Sequence, residues 1–213
     1  MSDHPADATS SSADDASARP VRKRPKPGER RVQILQALAS MLEQPGAERI
    51  TTAALAARLD VSEAALYRHF ASKAQMFEGL LDFIDQTVFG LVNQIMEREG
   101  DGAQKAARII AMLLQFGERN QGMTRVMVGD ALVHENERLQ QRMNQFFDRL
   151  ESSLRQVLKD AQVVRLSQTP TVEAQVRASV LTAFALGRLQ RFARSGFKKS
   201  PTEQLEAALG LLV

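Results

Sequence analysis

The chain has 213 residues, with 28 Lys and Arg against 25 Asp and Glu, so its net charge of +3 is too small to identify a partner. It contains no cysteine, which excludes disulfides and thiolate metal sites and is typical of a cytoplasmic protein. No apolar stretch near Met1 resembles a signal peptide, and no apolar run is long enough to span a bilayer. We therefore expect a cytoplasmic location.

The first 27 residues are rich in Ser, Ala, Asp and Pro, which predicts a disordered tail. Residues 1–18 carry four acidic residues and no Lys or Arg, whereas residues 19–73 carry eleven basic and five acidic residues. The tail ends in the basic sequence RPVRKRPKP. Two interpretations of this arm stay open. In the first, it contacts DNA, either along the phosphate backbone or in a minor groove. In the second, it is a solvated linker.

Residues 50–73, with the sequence ITTAALAARLDVSEAALYRHFASK, predict two short helices joined by a tight turn. Thr51 is a suitable N-cap for a helix over residues 52–59, and Ser62 is a suitable N-cap for a second helix over residues 63–70. Two capped helices separated by so short a turn are typical of a helix-turn-helix that reads DNA. The alternative is an ordinary alanine-rich helix pair with polar caps.

The second of these helices has two different faces. Leu66 and Phe70 are four residues apart and are expected to point inward. On the other face, Ala64 and Ala65 allow close approach to base edges, and hydroxyl and basic groups are available for bases and phosphates. The predicted DNA-binding residues are Thr51, Thr52, Ser62, Glu63, Ala64, Ala65, Tyr67, Arg68, His69 and Lys73.

The rest of the chain has apolar residues at 3.6-residue spacing and no strand signal, which predicts an all-α fold of nine helices. The seven other helices are predicted at residues 29–44, 73 to about 100, 106–116, 124–133, 139–158, 170–194 and from 201 onward. The apolar stripe of the eighth helix contains Val172, Val176, Val180, Leu181, Phe184 and Leu189.

The sequence LYRHFASK resembles the DNA-reading motif of the TetR family. The match consists of Leu66, Tyr67, His69, Phe70 and Lys73. The resemblance extends over residues 28–213 and implies a tail at residues 1–27, a three-helix DNA-binding domain at residues 28–72, and a six-helix domain for dimerisation and partner binding at residues 73–213. It also implies that Tyr67 and Lys73 contact phosphate.

Three phrases resemble more specifically the nucleoid occlusion proteins of this family: ERRVQILQALASMLE, RITTAALAARLDVSEAALYRHFASKAQMFEGLL and LLQFGERNQGMTRV. This resemblance implies a nucleoid-associated dimer on palindromic chromosomal sites that antagonises the tubulin-like protein FtsZ and blocks septum formation. The tail of FtsZ would lie between the fourth and fifth helices, against Phe83, Arg119 and Asn120. Two positions depart from the pattern, because Leu91 replaces an arginine and Gln115 a glycine. From the residues alone, the alternative is that Phe83 is an ordinary core residue and that Arg119 and Asn120 form an ordinary helix end.

A palindromic site requires two reading helices related by a twofold axis, so we expect a homodimer. Small residues on the eighth helix allow close helix approach, and the last helix adds apolar area. The predicted interface residues are Val180, Ala183, Phe184, Gly187, Leu205 and Leu209. The alternative for the same residues is packing within one chain.

The sequence leaves two other functions to weigh, a ligand-gated repressor and an enzyme. A ligand-gated repressor would need a pocket, and the available apolar lining is Met112, Met123, Met127, Met143, Phe146 and Phe147, a set more typical of a core. For an enzyme the sequence offers little: His4, His69 and His134 lack metal-site spacing, and Ser195 has no nearby histidine base. We expect no catalysis, cofactor, metal, small-molecule ligand or membrane partner.

Overall fold

The computed structural model describes residues 28–44, 50–98 and 100–213. These residues form ten α-helices, one 3-10 helix and no strand, which confirms the predicted all-α class. The predicted tail and its basic arm lie outside the described residues. The helices are α1 (Glu29–Leu42), α2 (Thr52–Arg58), α3 (Glu63–Tyr67), α4 (Lys73–Glu97), α5 (Gly102–Arg119), α6 (Gln121–Met127), the 3-10 helix (Asp130–Leu132), α7 (Glu137–Leu158), α8 (Gln162–Arg165), α9 (Pro170–Arg194) and α10 (Leu205–Leu212).

The described residues thus form one more α-helix than the nine predicted, because the short α8 gave no periodic signal. The predicted helix over residues 124–133 is divided at Gly129, whose φ of +87° is left-handed and ends α6. The last helix begins at Leu205, not at Pro201, because Gln204 has a left-handed φ of +49°. Backbone conformations of this kind interrupt helices locally, and apolar periodicity does not record them.

The body of the protein is built around α5, which packs against α4, α7 and α9. Its N-cap, Asp101, accepts hydrogen bonds from the amides of Ala103 (2.8 Å) and Gln162 (2.9 Å), so it also fixes the start of α8. The bond from Gln162 is the main cause of a lowered pKa at Asp101. The charged form therefore stabilises the fold at neutral pH, and this contribution is lost as the pH falls through the lowered pKa.

The DNA-reading helices join the body where α1 meets α6. Gly122 of α6 lies directly on the α1 backbone, since a Cβ at this position would be 2.1 Å from the Ala39 carbonyl oxygen. No side chain fits there. The contact therefore fixes α1 close to the body, and α4 continues the connection by packing on both parts.

Three exposed ion pairs join α4 to α7. They are Glu78–Arg138 (2.6 Å), Asp82–Arg142 (2.7 Å) and Asp85–Arg149 (3.0 Å). Residue numbers rise together on both helices, so the two helices run parallel. Each exposed pair contributes little to stability, about 0–1 kcal/mol. Their common effect is to set the register of α4, the helix that begins at Lys73 beside the reading helix.

Helix α9 has two apolar faces, although its apolar residues were predicted to form one stripe. The face toward α5 and α7 contains Ala174, Ala178, Leu181, Ala185 and Leu189, all buried. The other face exposes Val172, Val176 and Val180 at four-residue spacing. The predicted single stripe is therefore divided between two faces, because small alanines and two leucines face the neighbouring helices while the three valines face outward.

No helix in the described parts of the chain is long and apolar enough to cross a membrane.

Candidate nucleic-acid interface and partner surface

The reading region is held by the three predicted helix caps. The hydroxyl oxygens of Thr51, Ser62 and Ser72 accept hydrogen bonds from backbone amides three residues later, at 3.1, 3.3 and 3.2 Å. Asp60 occupies the turn between α2 and α3 with a left-handed φ of +52°, which Asp tolerates better than most residues. A capping hydroxyl still has its own proton to donate. Thr51 and Ser62 can therefore cap their helices and bind a phosphate oxygen at the same time.

The inward face of the reading helix is as predicted, since Leu66 and Phe70 are both buried. The helix itself is shorter than predicted and ends at Tyr67. The amides of His69 and Phe70 both donate to the Leu66 carbonyl, at 2.9 and 3.1 Å, which tightens and ends the last turn. Arg68 and His69 therefore lie beyond the end of the helix.

Arg31 of α1 anchors this end of the reading helix, a role that the sequence did not reveal. Its guanidinium donates to the carbonyl of His69 and lies 4.2 Å from the centre of the Phe70 ring. The two partners are 38 and 39 positions away in the chain, so no local pattern indicates the contact. The contact therefore holds the end of α3 at a fixed distance from α1.

The predicted DNA-binding residues differ in exposure and in the hydrogen bonds that their side chains already make. Ala64, Tyr67 and Arg68 are exposed, and Tyr67 leaves 45% of its surface accessible. Thr52, however, donates to the Glu63 carboxylate at 2.5 Å. This bond joins the first turns of α2 and α3 and leaves the Thr52 proton unavailable for DNA. The geometry therefore favours Thr52 and Glu63 as positioning residues beside the contacting ones.

Lys73 is paired within the protein, contrary to the expectation of a free phosphate contact. Its ammonium group forms an ion pair with Glu135, whose side chain is only 8% exposed. A DNA phosphate at the N-terminus of α4 would have to share Lys73 with Glu135 or displace it. The pair therefore connects the DNA-reading end of α4 to the segment before α7.

We expect Glu135→Gln to raise DNA affinity about threefold, since Lys73 then no longer has to leave a carboxylate in order to bind phosphate. The slope of log affinity against log salt should steepen by about one, as for one added phosphate contact. Fluorescence anisotropy with a labelled operator duplex across a salt series measures both quantities. Glu137→Gln, two residues away and exposed, is the matched control. Unchanged affinity and slope would show that Lys73 does not contact phosphate.

The predicted partner residues lie on α4 and at the end of α5. Phe83 is 47% exposed, so the interpretation of Phe83 as a core residue is wrong. Arg119 is exposed, and Asn120 donates its side-chain amide to the Phe116 carbonyl at 2.7 Å. Asn120 thus closes the end of α5, as the alternative proposed, and its side-chain oxygen and second amide N–H stay available to a partner. Leu91, where the pattern has arginine, is another exposed apolar residue of α4.

Phe83 and Arg119 lie at the same level of the antiparallel pair α4 and α5. The Lys105 ammonium donates to the Met96 carbonyl at 3.0 Å, which aligns the two helices. Phe83 precedes Met96 by 13 residues and Arg119 follows Lys105 by 14. At about 1.5 Å of rise per residue, each lies about 20 Å along its helix from this contact. An exposed aromatic ring and an exposed guanidinium thus stand level on neighbouring helices.

The predicted dimer residues fall into two groups. Val180, Ala183 and Gly187 are exposed on α9, and a Cβ at Gly187 would have no neighbour within 4 Å. Phe184 is half-buried beneath the Arg188 guanidinium. Leu205 and Leu209, in contrast, are buried in the core of their own chain. For these two residues the alternative of packing within one chain is the one observed.

The candidate lining for a small-molecule pocket belongs largely to the core. Met123, Met127, Met143 and Phe146 are buried, and Phe146 makes edge-to-face contacts with Phe89 and Phe147 at centroid distances of 5.3 and 5.2 Å.

Comparison with known proteins agrees with both parts of the structure. Residues 34–80 match the model for bacterial regulatory proteins of the tetR family. Residues 101–213 match the SlmA-like model of the tetracyclin repressor-like C-terminal domain. Among solved structures, the MbdR regulator from Azoarcus sp. CIB has a TM-score of 0.70 at 17% identity, covering 85% of this chain and 95% of that one. FadR from Bacillus subtilis, solved with stearoyl-CoA, has a TM-score of 0.67 at 15% identity, covering 85% and 97%. At these identities the likeness concerns the fold.

Curated relatives are much closer in sequence. The nucleoid occlusion factor SlmA of Idiomarina loihiensis is 50% identical over 178 residues, covering 84% of this chain and 90% of that protein. The nucleoid occlusion factor SlmA of Vibrio cholerae is 48% identical over 184 residues, covering 86% and 93%. The family's members are DNA-binding regulators. The chain therefore belongs to the TetR family, within its group of SlmA nucleoid occlusion factors.

Proposed function

We propose that this protein binds palindromic chromosomal sites as a dimer and, while bound, antagonises FtsZ assembly, so that no septum forms over the nucleoid. The observation that carries the proposal is the exposed pair of Phe83 and Arg119, level with each other on α4 and α5. The pair combines an apolar ring with a cationic group on neighbouring helices. Exposed groups of this kind are typical of binding surfaces.

The DNA-binding half of the proposal is supported by the exposed face of α3. Ala64 is small enough to let the helix backbone approach base edges, and Arg68 offers a guanidinium that suits guanine or phosphate. Tyr67 stands exposed beside them with a hydroxyl for phosphate. Selection of fragments from genomic DNA by the purified protein, followed by sequencing, tests this half. Enrichment of a palindrome is expected, and uniform recovery would contradict it.

The partner-binding half is supported by the side chains exposed on α4 and α5, the two helices between which the resemblance places a groove for the partner. Arg119 presents a planar fork of donors that suits a carboxylate, and Phe83 offers apolar area beside it. Leu91 extends the apolar side of the groove along α4. The surface thus fits an extended peptide that combines acidic and apolar side chains. A tail segment of FtsZ is the proposed occupant.

The dimer is supported by the exposed face of α9, where Val172, Val176 and Val180 continue into Ala183 and Gly187. These residues follow one another at three- or four-residue spacing and form one stripe. Small residues at Ala183 and Gly187 allow a second copy of α9 to approach closely. Burying the stripe against its symmetry mate removes apolar area from water.

Val180→Arg is expected to convert the dimer to a monomer at micromolar concentration, because the twofold axis brings a second buried cation into the same interface. Val180 is half exposed in the single chain, so the protomer should still fold. Sedimentation velocity measures the mass, and Val180→Leu is the control that keeps the residue apolar. An arginine variant that remains dimeric would remove this stripe from the interface.

A further inference from the structure

The end of α9 and the segment after it form a concentrated positive surface. Residues 178–202 contain five basic residues and no acidic one. Four of the five are exposed: Arg191, Arg194, Lys198 and Lys199. The ion pairs found in the described residues involve none of these four. Three of them line an open cavity of about 460 Å³ together with Gln190, Ser195 and Gly187, the last of which also belongs to the proposed dimer stripe. We call these four side chains the basic cluster.

The backbone that carries the two lysines has a fixed and strained shape. Gly196 and Phe197 have left-handed φ values of +62° and +64°, and this conformation is unfavourable for a bulky residue such as Phe197. The Ser195 hydroxyl donates to the Phe192 carbonyl at 2.8 Å and accepts from the Lys198 and Lys199 amides at 3.1 and 2.9 Å. This network holds the lysines in place before any partner arrives, which lowers the entropy cost of binding.

The Phe197 ring attaches the loop after α9 to the neighbouring helices. It makes an edge-to-face contact with Phe192 at a centroid distance of 5.1 Å. The Arg125 guanidinium of α6 lies 5.2 Å from its centre on another side. The loop is therefore attached to α6 as well as to α9. This arrangement turns Phe197 inward while the neighbouring lysines stay exposed.

The loop is also attached to the end of α5 that carries Arg119. Ser200 and Thr202 both donate to the Glu118 carboxylate, the latter at 2.8 Å. Lys199 is thus one residue from a group bonded to Glu118, and Arg119 follows Glu118 in α5. The basic cluster and Arg119 therefore lie toward the same end of α5.

The packing separates this surface from the DNA-reading face. The main packing partners of α9 are α5, α6, α7, α8 and α10, whereas the reading helix α3 packs on α2. The basic cluster therefore belongs to the body. An acidic protein segment, in contrast to the duplex under α3, is the anion that this position favours.

We infer that Arg191, Arg194, Lys198 and Lys199 bind carboxylates of an acidic segment whose neighbouring residues occupy the α4–α5 groove. The inference rests on the proposed function, since it extends the same partner surface beyond Arg119. The basic cluster adds long-range attraction and charge-assisted hydrogen bonds to the contact between the acidic segment and the protein, while the groove sets the orientation of that segment.

The test uses the double variant Lys198→Glu/Lys199→Glu of the full chain. Binding to immobilised FtsZ, with operator DNA present, should weaken about tenfold and lose part of its salt dependence, since two cations are reversed. DNA affinity should stay unchanged. The control Lys159→Glu/Arg165→Glu reverses two exposed cations near the opposite end of α5, and Lys198→Arg/Lys199→Arg should bind like wild type. Equal FtsZ binding by the glutamate variant and wild type overturns the inference. Loss of DNA affinity instead would assign the cluster to DNA.

A second probe separates this inference from the proposed function. If wild-type protein does not bind FtsZ, the proposed function fails, and a labelled oligoglutamate peptide then decides whether the cluster is an acidic-peptide site. At low salt the peptide should bind wild type and the Lys159→Glu/Arg165→Glu control equally, and bind Lys198→Glu/Lys199→Glu about fivefold more weakly. Equal binding by all three proteins would overturn the inference.

Discussion

Arg119→Glu is expected to abolish antagonism of FtsZ assembly while DNA affinity stays within about twofold of wild type. The variant replaces a guanidinium that suits a carboxylate with a group that repels carboxylates. Removing one partner of a close charge pair in an interface typically costs about 2–5 kcal/mol, and reversal costs more. Arg119 is exposed and makes no ion pair in the described chain, so folding should be unaffected.

Two assays on the same preparation decide this prediction: FtsZ polymer mass by light scattering, and operator affinity by anisotropy. Lys159→Glu is the matched control, since it makes the same charge change on an exposed residue near the opposite end of α5. If Arg119→Glu loses both activities, the defect is in folding or dimerisation. If it loses neither, Arg119 is simply a helix-end cation that complements the α5 dipole.

Ala64→Glu should lower operator affinity about a hundredfold, because each half-site then meets a bulky anion where the helix must approach base edges closely. Ala64 is exposed at the start of α3, so the substitution creates no internal clash. The loss should be greater for operator than for nonspecific duplex, because phosphate contacts made by neighbouring residues remain. Parallel anisotropy titrations of the two duplexes measure the difference.

Gln156→Glu, on an exposed position of α7, controls for the added charge and should bind operator like wild type. Antagonism of FtsZ by Ala64→Glu should disappear together with DNA binding if the antagonism depends on the DNA-bound state. Full antagonism without DNA affinity would separate the two activities. Operator affinity close to wild type would instead remove the N-terminal turn of α3 from the base-reading surface.

The parts of this fold that the sequence predicts well are those determined by local chemistry. Thr51, Ser62 and Ser72 cap helices wherever their hydroxyls meet free amides, and this depends on neighbours only three residues away. Leu66 and Phe70 are both buried as predicted, since the Phe70 amide still bonds to the Leu66 carbonyl four residues earlier although α3 has ended. The helix-turn-helix could therefore be derived residue by residue, and the family resemblance added the phosphate roles of Tyr67 and Lys73.

The parts that the sequence could not predict depend on contacts between distant segments. Nothing in the spacing pairs Lys73 with Glu135 or joins Arg31 to the carbonyl of His69. On α9, periodicity identifies apolar positions but not which of two faces meets a neighbouring helix, so the single predicted stripe did not separate the exposed Val176 from the buried Leu181. Phe83 is the reverse case, since only the resemblance indicated that this aromatic residue lies on the surface.

The most direct test of the account is sedimentation of FtsZ polymers with this protein, in the presence and absence of genomic fragments that the protein has itself selected. The account predicts that polymer is lost from the pellet only when selected DNA is present, and that unselected DNA of equal length has little effect. Undiminished polymer, despite tight and selective DNA binding, would contradict the account and favour a ligand-gated repressor of the same fold.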